Sequence, residues 1–222
     1  MPLLLYCVTR ASVYPKGSQT GVAGVPVERV EGPGLAAVLS RNVDSNVWLR
    51  APVRTSALEF HRVIMELFES AAIIPFRFPT IFESDDELGA HLVERADEYE
   101  SLLNQIADLV QMEVRLMRPD VVVASNSGAG YLRERQKHLQ VFEDFAVRLQ
   151  AVTAGIAREW SDHTLRNGQR YFALVERGKV AEFEQVLRGL PVPEGINVRV
   201  SGPWPVSEFP GTVSHGSRMV TS

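Results

Sequence analysis

One cysteine in 222 residues, Cys7, excludes an internal disulfide. Its place in the apolar run "LLLYCVT" marks it as a buried, unreactive thiol. No stretch approaches the roughly 18 consecutive apolar residues of a membrane-spanning helix. The opening "MPLLLYCVTR" lacks the basic segment and small-residue cleavage site of a secretory leader. Excess positive charge is missing too: 23 Lys and Arg against 27 Asp and Glu give a formal net charge of −4. A general nucleic-acid binder would carry a basic stripe. These absences describe a reduced, cytoplasmic protein with neither membrane nor nucleic acid as a partner.

Catalytic patterns are equally scarce. There is no GxSxG, no HExxH and no cysteine pair. The five histidines, His61, His91, His138, His163 and His215, are scattered. Glu87, His91 and Glu94 could share one side of a helix, but a solvated helical face accounts for them without a metal. Asp85-Asp86-Glu87 suits the positive end of a helix dipole better than an acid–base cluster. The aromatics of "FRF" (76–78) read as packing residues, and His61 as a packing residue beside an apolar helical face. The segment "SNSGAG" before "YLRER" invites a phosphate-loop reading, yet it satisfies neither GxxxxGK[ST] nor GxGxxG. A nucleotide- or small-molecule-binding enzyme using loop 126–130 is therefore the alternative to a non-enzymatic protein. No catalytic residue, cofactor or metal is expected.

What the chain does have is 45% hydrophobic residues arranged in two α+β halves. Strands are expected at 3–9, 22–30 and 35–40. Val53, Ala57, Phe60, Ile64, Leu67 and Ala71 then recur on one helical face. Residues 72–82, interrupted by Pro75 and Pro79, read as an edge or bulged strand. Ser84 and Glu87 form a capping box. It opens a long helix through Leu88, Leu92, Ala96, Tyr99, Leu103, Ile106 and Val110. After a strand at 112–117, a second long helix at 131–159 carries Leu132, Leu139, Phe142, Ala146, Leu149 and Ile156. The two are expected to pack antiparallel as a coiled-coil-like arm. Next come a strand at 171–176, a helix at 179–190 and a strand at 196–200. Pro203 and Pro205 are expected to end that last strand. Trp204, held between them, is expected to pack against the final domain. The expected organisation is an N-terminal α+β domain (1–83), a C-terminal α+β domain with the helical arm (84–210) and a frayed tail (211–222).

Five stretches in fixed order resemble the gas vesicle protein F/L family. These are "LLYCVT", "LAAVLSRN", "EFHRVIMELFESAAIIPFRFPTIF", "SGAGYLRERQ" and "VRVSGPWPVSEF", together spanning residues 3–209. The residues carrying the resemblance are His61, Pro75, Arg77, Phe78, Ser127, Gly128, Tyr131, Leu132, Gly202, Pro203, Trp204, Pro205 and Phe209. Pro79 stands where the family has Gly, and Val206-Ser207-Glu208 replaces Pro-Tyr-Ser. The resemblance implies two α+β domains, the second with a coiled-coil element. It also implies a non-enzymatic assembly factor for gas vesicles that binds the small hydrophobic shell protein, other accessory proteins, or both, or that forms a minor vesicle component.

Overall fold

A computed structural model describes residues 1–14, 19–41, 53–117, 128–165 and 168–209. The chain folds into two compact units, Met1–Ala107 with Trp204–Ser222, and Asp108–Pro203.

Strand β1 (Leu3–Arg10) reads LLLYCVTR and buries every residue but the last. A near-continuous apolar run is what a strand covered on both faces needs. It accordingly lies inside the first unit's sheet. Strand β3 (Leu35–Arg41) pairs antiparallel with it, and β2 (Glu28–Glu31) pairs antiparallel with β3. Two short strands share the other side of β1. β4 (Ile74–Pro75) faces Cys7 and Val8, and β5 (Ile81–Phe82) faces Leu3 and Leu4. The register of β1 on β3 shifts between Leu5 and Cys7, a bulge at Tyr6.

Tyr6 is fully buried, and its hydroxyl is satisfied. It accepts from the Val22 backbone N–H at 3.0 Å and lies 3.0 Å from Ser40 Oγ. Ser40 donates its own proton to the Pro26 carbonyl, so Tyr6 donates to Ser40. The Cys7 thiol is buried beside it, and desolvation pushes its pKa far up, leaving it inert as expected.

Helix α1 (Val53–Ser70) turns Ser56, Phe60, Val63, Ile64, Leu67 and Phe68 inward; of the expected face Phe60, Ile64 and Leu67 are buried, whereas Ala57 is half-buried and Val53, the first helical residue, is exposed. Helix α2 (Asp85–Glu94) begins at the expected cap: Glu87 N–H donates to Ser84 Oγ at 3.2 Å, and Glu87 Oε2 accepts from Glu83 N–H at 2.7 Å. Helix α3 (Ala96–Gln105) packs against β1, β3 and β4.

The structure corrects several sequence expectations. The segment expected as a strand at 22–30 pairs within the sheet only from Glu28. Its beginning is a 3-10 turn at Val22–Gly24, with Gly24 at φ 77° and Pro26 unable to donate. The long helix expected to reach Val110 breaks at Arg95 (φ −106°, ψ 9°) and ends at Gln105. Two ten-residue helices thus replace one long arm helix, and both belong to the first unit rather than to the second half of the chain. Their apolar residues Leu88, Leu92, Tyr99, Leu102 and Leu103 are buried.

The second unit runs β6 (Leu109–Met117), α4 (Gly128–Val152), β7 (Ala157–Leu165), β8 (Gly168–Glu176), α5 (Val180–Arg188) and β9 (Asn197–Trp204). Its sheet order is β7-β8-β6-β9, the βαββαβ ferredoxin-like arrangement. One face is apolar: Val110, Met112, Val114 and Leu116 of β6 alternate in register with Tyr171, Ala173 and Val175 of β8. On the other, Arg115 and Arg170 are direct cross-strand partners, and two like charges so placed repel. Glu113 offsets this, accepting from Arg115 Nη2 at 2.7 Å. Arg170 Nε also lies 3.1 Å from Glu113, an ion pair whose N–H is not aimed for a hydrogen bond.

The second long helix is shorter than its apolar periodicity suggests. Thr153 Oγ1 donates back to the Leu149 carbonyl at 2.7 Å as the helix ends, and Ile156 lies beyond it. Residues 157–159, which that periodicity places in the helix, instead open the edge strand β7. Phe142, Ala146 and Leu149 are buried, whereas the side chain of Leu139 lies outside the described residues. The last strand also outruns expectation, continuing through Pro203 to Trp204. It lies at the sheet edge, where a missing N–H removes no ladder bond on the open side. The tail 211–222 is outside the described residues.

Candidate interaction surface

Adjacent residues of a helix point about 100° apart, and α1 uses this at Phe60 and His61. Phe60 points inward. Its ring meets Tyr6 at 4.9 Å and Phe78 at 5.3 Å, the latter edge-on. His61 is exposed and faces the Trp204 indole, with ring centroids 5.6 Å apart and planes inclined at 44°.

Strand β4 and the loop after it carry three more of the family-like residues. Pro75 pairs with Cys7, and Phe76 N–H donates to the Tyr6 carbonyl at 2.9 Å. Leu5 N–H donates to the Thr80 carbonyl at 2.9 Å. Between these anchors residues 77–79 project outward, with Arg77 exposed and Phe78 half-buried. The Thr80 hydroxyl closes the turn onto the Arg77 carbonyl at 2.7 Å.

The C-terminal stretch is fixed by its glycine. Gly202 has φ 129°, and a Cβ there would lie 2.8 Å from Met112 Sδ and 3.0 Å from the Gln111 carbonyl. Only glycine fits both the conformation and the space. Pro203 and Trp204 are half-buried, while Pro205 and Phe209 are buried. The indole N–H of Trp204 is buried without a hydrogen-bond acceptor among the described residues. The sequence places Trp204 against the final domain, but its ring contact is with His61 of the first unit.

The structure therefore links His61 to Trp204 directly, and Phe78 to the same helix through Phe60. It does not gather all the family-like residues. Gly128, Tyr131 and Leu132 begin α4 in the second unit, the side chains of Tyr131 and Leu132 lie outside the described residues, and so does Ser127. Gly128 and Gly130, expected in a loop at 126–130, belong to the first turn of α4. Sequence reasoning missed Tyr6 and Phe60 as the inner supports of the surface. Their signal was an aromatic in the bulged central strand and one on the apolar helical face.

A second aromatic cluster surrounds His91. Its Nε2 is hydrogen-bonded to the Tyr99 hydroxyl at 2.7 Å, and its ring lies 5.2 Å from Phe82 and 6.3 Å from Phe76. Desolvation, helped by Arg95, lowers the imidazole pKa. Among the described residues no group of three or more His, Cys, Asp or Glu could hold a metal ion. No described helix is long and apolar enough to cross a membrane.

Residues 2–209 match the family described as gas vesicle synthesis protein GvpL/GvpF. The crystal structure of gas vesicle protein GvpF from Anabaena sp. PCC7120 superimposes with a TM-score of 0.75 at 13% identity, covering 92% of this chain and 93% of that one. GvpF from Microcystis aeruginosa gives a TM-score of 0.71 at 11% identity, covering 90% and 94%. At such identities the likeness is one of fold. No curated protein matches the chain.

Proposed function

The chain belongs to the GvpL/GvpF family of gas vesicle synthesis proteins, and we propose that it acts in the cytoplasm as a non-enzymatic assembly factor that binds the small apolar shell protein. The observation carrying this reading is the match over residues 2–209, within which two widely separated family-like residues, His61 and Trp204, meet on one partly exposed surface. A soluble helper of an aggregation-prone subunit has to cover apolar surface, and partly exposed aromatics do so at small entropic cost. The 77–79 loop next to this helix adds Phe78 and the exposed cation of Arg77.

Co-expression with the shell protein, then affinity purification, tests the reading. The wild-type chain should retain shell protein. His61→Asp, an exposed change that places a charge beside the Trp204 ring, should reduce retention at least tenfold with the melting temperature unchanged. Failure of the wild-type chain to retain any shell protein overturns the proposal. A saturable thermal shift with micromolar ATP or GTP would point instead to a nucleotide-dependent enzyme.

A further inference from the structure

We propose that the N-terminal half of α1 in one copy of the chain docks into an apolar groove beside α5 of another copy. The groove has a volume of about 550 Å³. Val152 from the end of α4, Val186 of α5, and Leu190 and Pro191 just after it supply its apolar lining. Val152 is 44% exposed, although it ends a helix whose Phe145 and Leu149 are buried. Glu182 and Gln185 supply the polar side. The Glu182 carboxylate has no hydrogen bond or ion pair among the described residues. Its neighbour Glu184, by contrast, is held by Arg188 at 2.7 Å. The site is therefore an apolar trough with one available negative charge.

Helix α1 carries the matching surface. Leu58 is 60% exposed and lies off the buried face of the helix. Arg54 lies four residues before Leu58, which puts the two side chains on one stripe. Arg54 forms no ion pair among the described residues, whereas Arg62 on the same helix is engaged by Glu66 and the Thr20 carbonyl. An apolar side chain with a cation one turn away is what the groove would select: Leu58 enters the trough and Arg54 meets Glu182. This is helix-in-groove recognition, with a second copy supplying the helix. Because the two patches differ, the contact is heterologous and need not stop at a dimer. One helical turn and one ion pair make a small interface, so the association is weak and depends on concentration.

The proposal does not rest on shell-protein binding, and its test uses the full chain alone. Sedimentation velocity across a range from low micromolar to submillimolar protein should show a mass that rises with concentration. Leu58→Asp, Arg54→Glu and Glu182→Arg should each weaken association at least tenfold. All three positions are exposed, and circular dichroism checks that each variant is folded. The decisive measurement is a mixture: Arg54→Glu chains added to Glu182→Arg chains should associate again, because the reversed charges then face each other across copies. A wild-type chain that stays monomeric throughout overturns the proposal. So does association that survives Leu58→Asp and Glu182→Arg, or a charge-swapped mixture that does not recover.

Discussion

The imidazole of His61 lies against the indole of Trp204, 5.6 Å between ring centroids, joining the middle of α1 to the last residue of β9. Trp204 is only half-buried, and its indole N–H is sealed from water with no acceptor among the described residues. These facts pull in opposite directions. Apolar burial favours the contact, while an unpaired buried donor costs about 1–3 kcal/mol.

Trp204→Ala should therefore destabilise the chain by about 1–3 kcal/mol, less than the roughly 3–5 kcal/mol typical of a fully buried Trp. Trp204→Phe keeps much of the ring and removes the unpaired donor, so it should fall within about 1 kcal/mol of the wild type. Denaturant midpoints at constant slope measure both. A Phe variant as damaged as the Ala variant would show that the indole N–H has an acceptor after all.

Gly202→Ala should be worse tolerated than its size suggests. The added methyl meets Met112 Sδ at 2.8 Å and the Gln111 carbonyl at 3.0 Å, in a backbone conformation that side chains rarely adopt. Backbone strain of this kind costs on the order of 1–3 kcal/mol before any displacement of the neighbouring strand. Thermal unfolding of the variant, compared with Gly178→Ala, where a Cβ would meet nothing within 4 Å, isolates the effect.

Acid should weaken the His91 cluster. Burial holds the folded-state pKa of His91 below its ordinary value near 6.5, so the unfolded chain takes up a proton more readily than the folded one. The contribution of His91 to stability is complete above that value. It is lost as the pH falls from about 6.5 down through the folded-state pKa. Unfolding midpoints should decline over that interval, and His91→Gln should flatten the decline. An unaltered slope in His91→Gln would assign the acid sensitivity to other groups.

Much of this fold is legible because its signals are local. The apolar run of β1, the 3–4 periodicity of α1 and the Ser84–Glu87 cap each lie within one element and mean the same thing there as in isolation. The expectations that fail depend on information outside the window. The apolar spacing from Leu88 to Val110 is continuous, yet Val110 belongs to a strand paired with Val175, far along the chain. The 157–165 segment, AREWSDHTL, is mostly solvent-facing at an edge, so it lacks the alternation that announces a strand. Pro203 looks like a strand terminator because sequence does not say which edge of a strand stays open. The surface is partly legible as well. Family-like motifs name His61 and Trp204, but not that their rings touch, which only the return of the chain at Trp204 brings about.

That return has a consequence for the order in which the protein is made. The second unit is one uninterrupted stretch, Asp108–Pro203, whereas the first is completed only when the chain from Trp204 onward is added. A ribosome delivers residues from the N-terminus onward, and compact units fold as they emerge. The inserted unit thus has its whole sequence available while the older one still lacks its closing aromatic. On a nascent chain the His61 ring lacks its Trp204 neighbour until the inserted unit has been made in full.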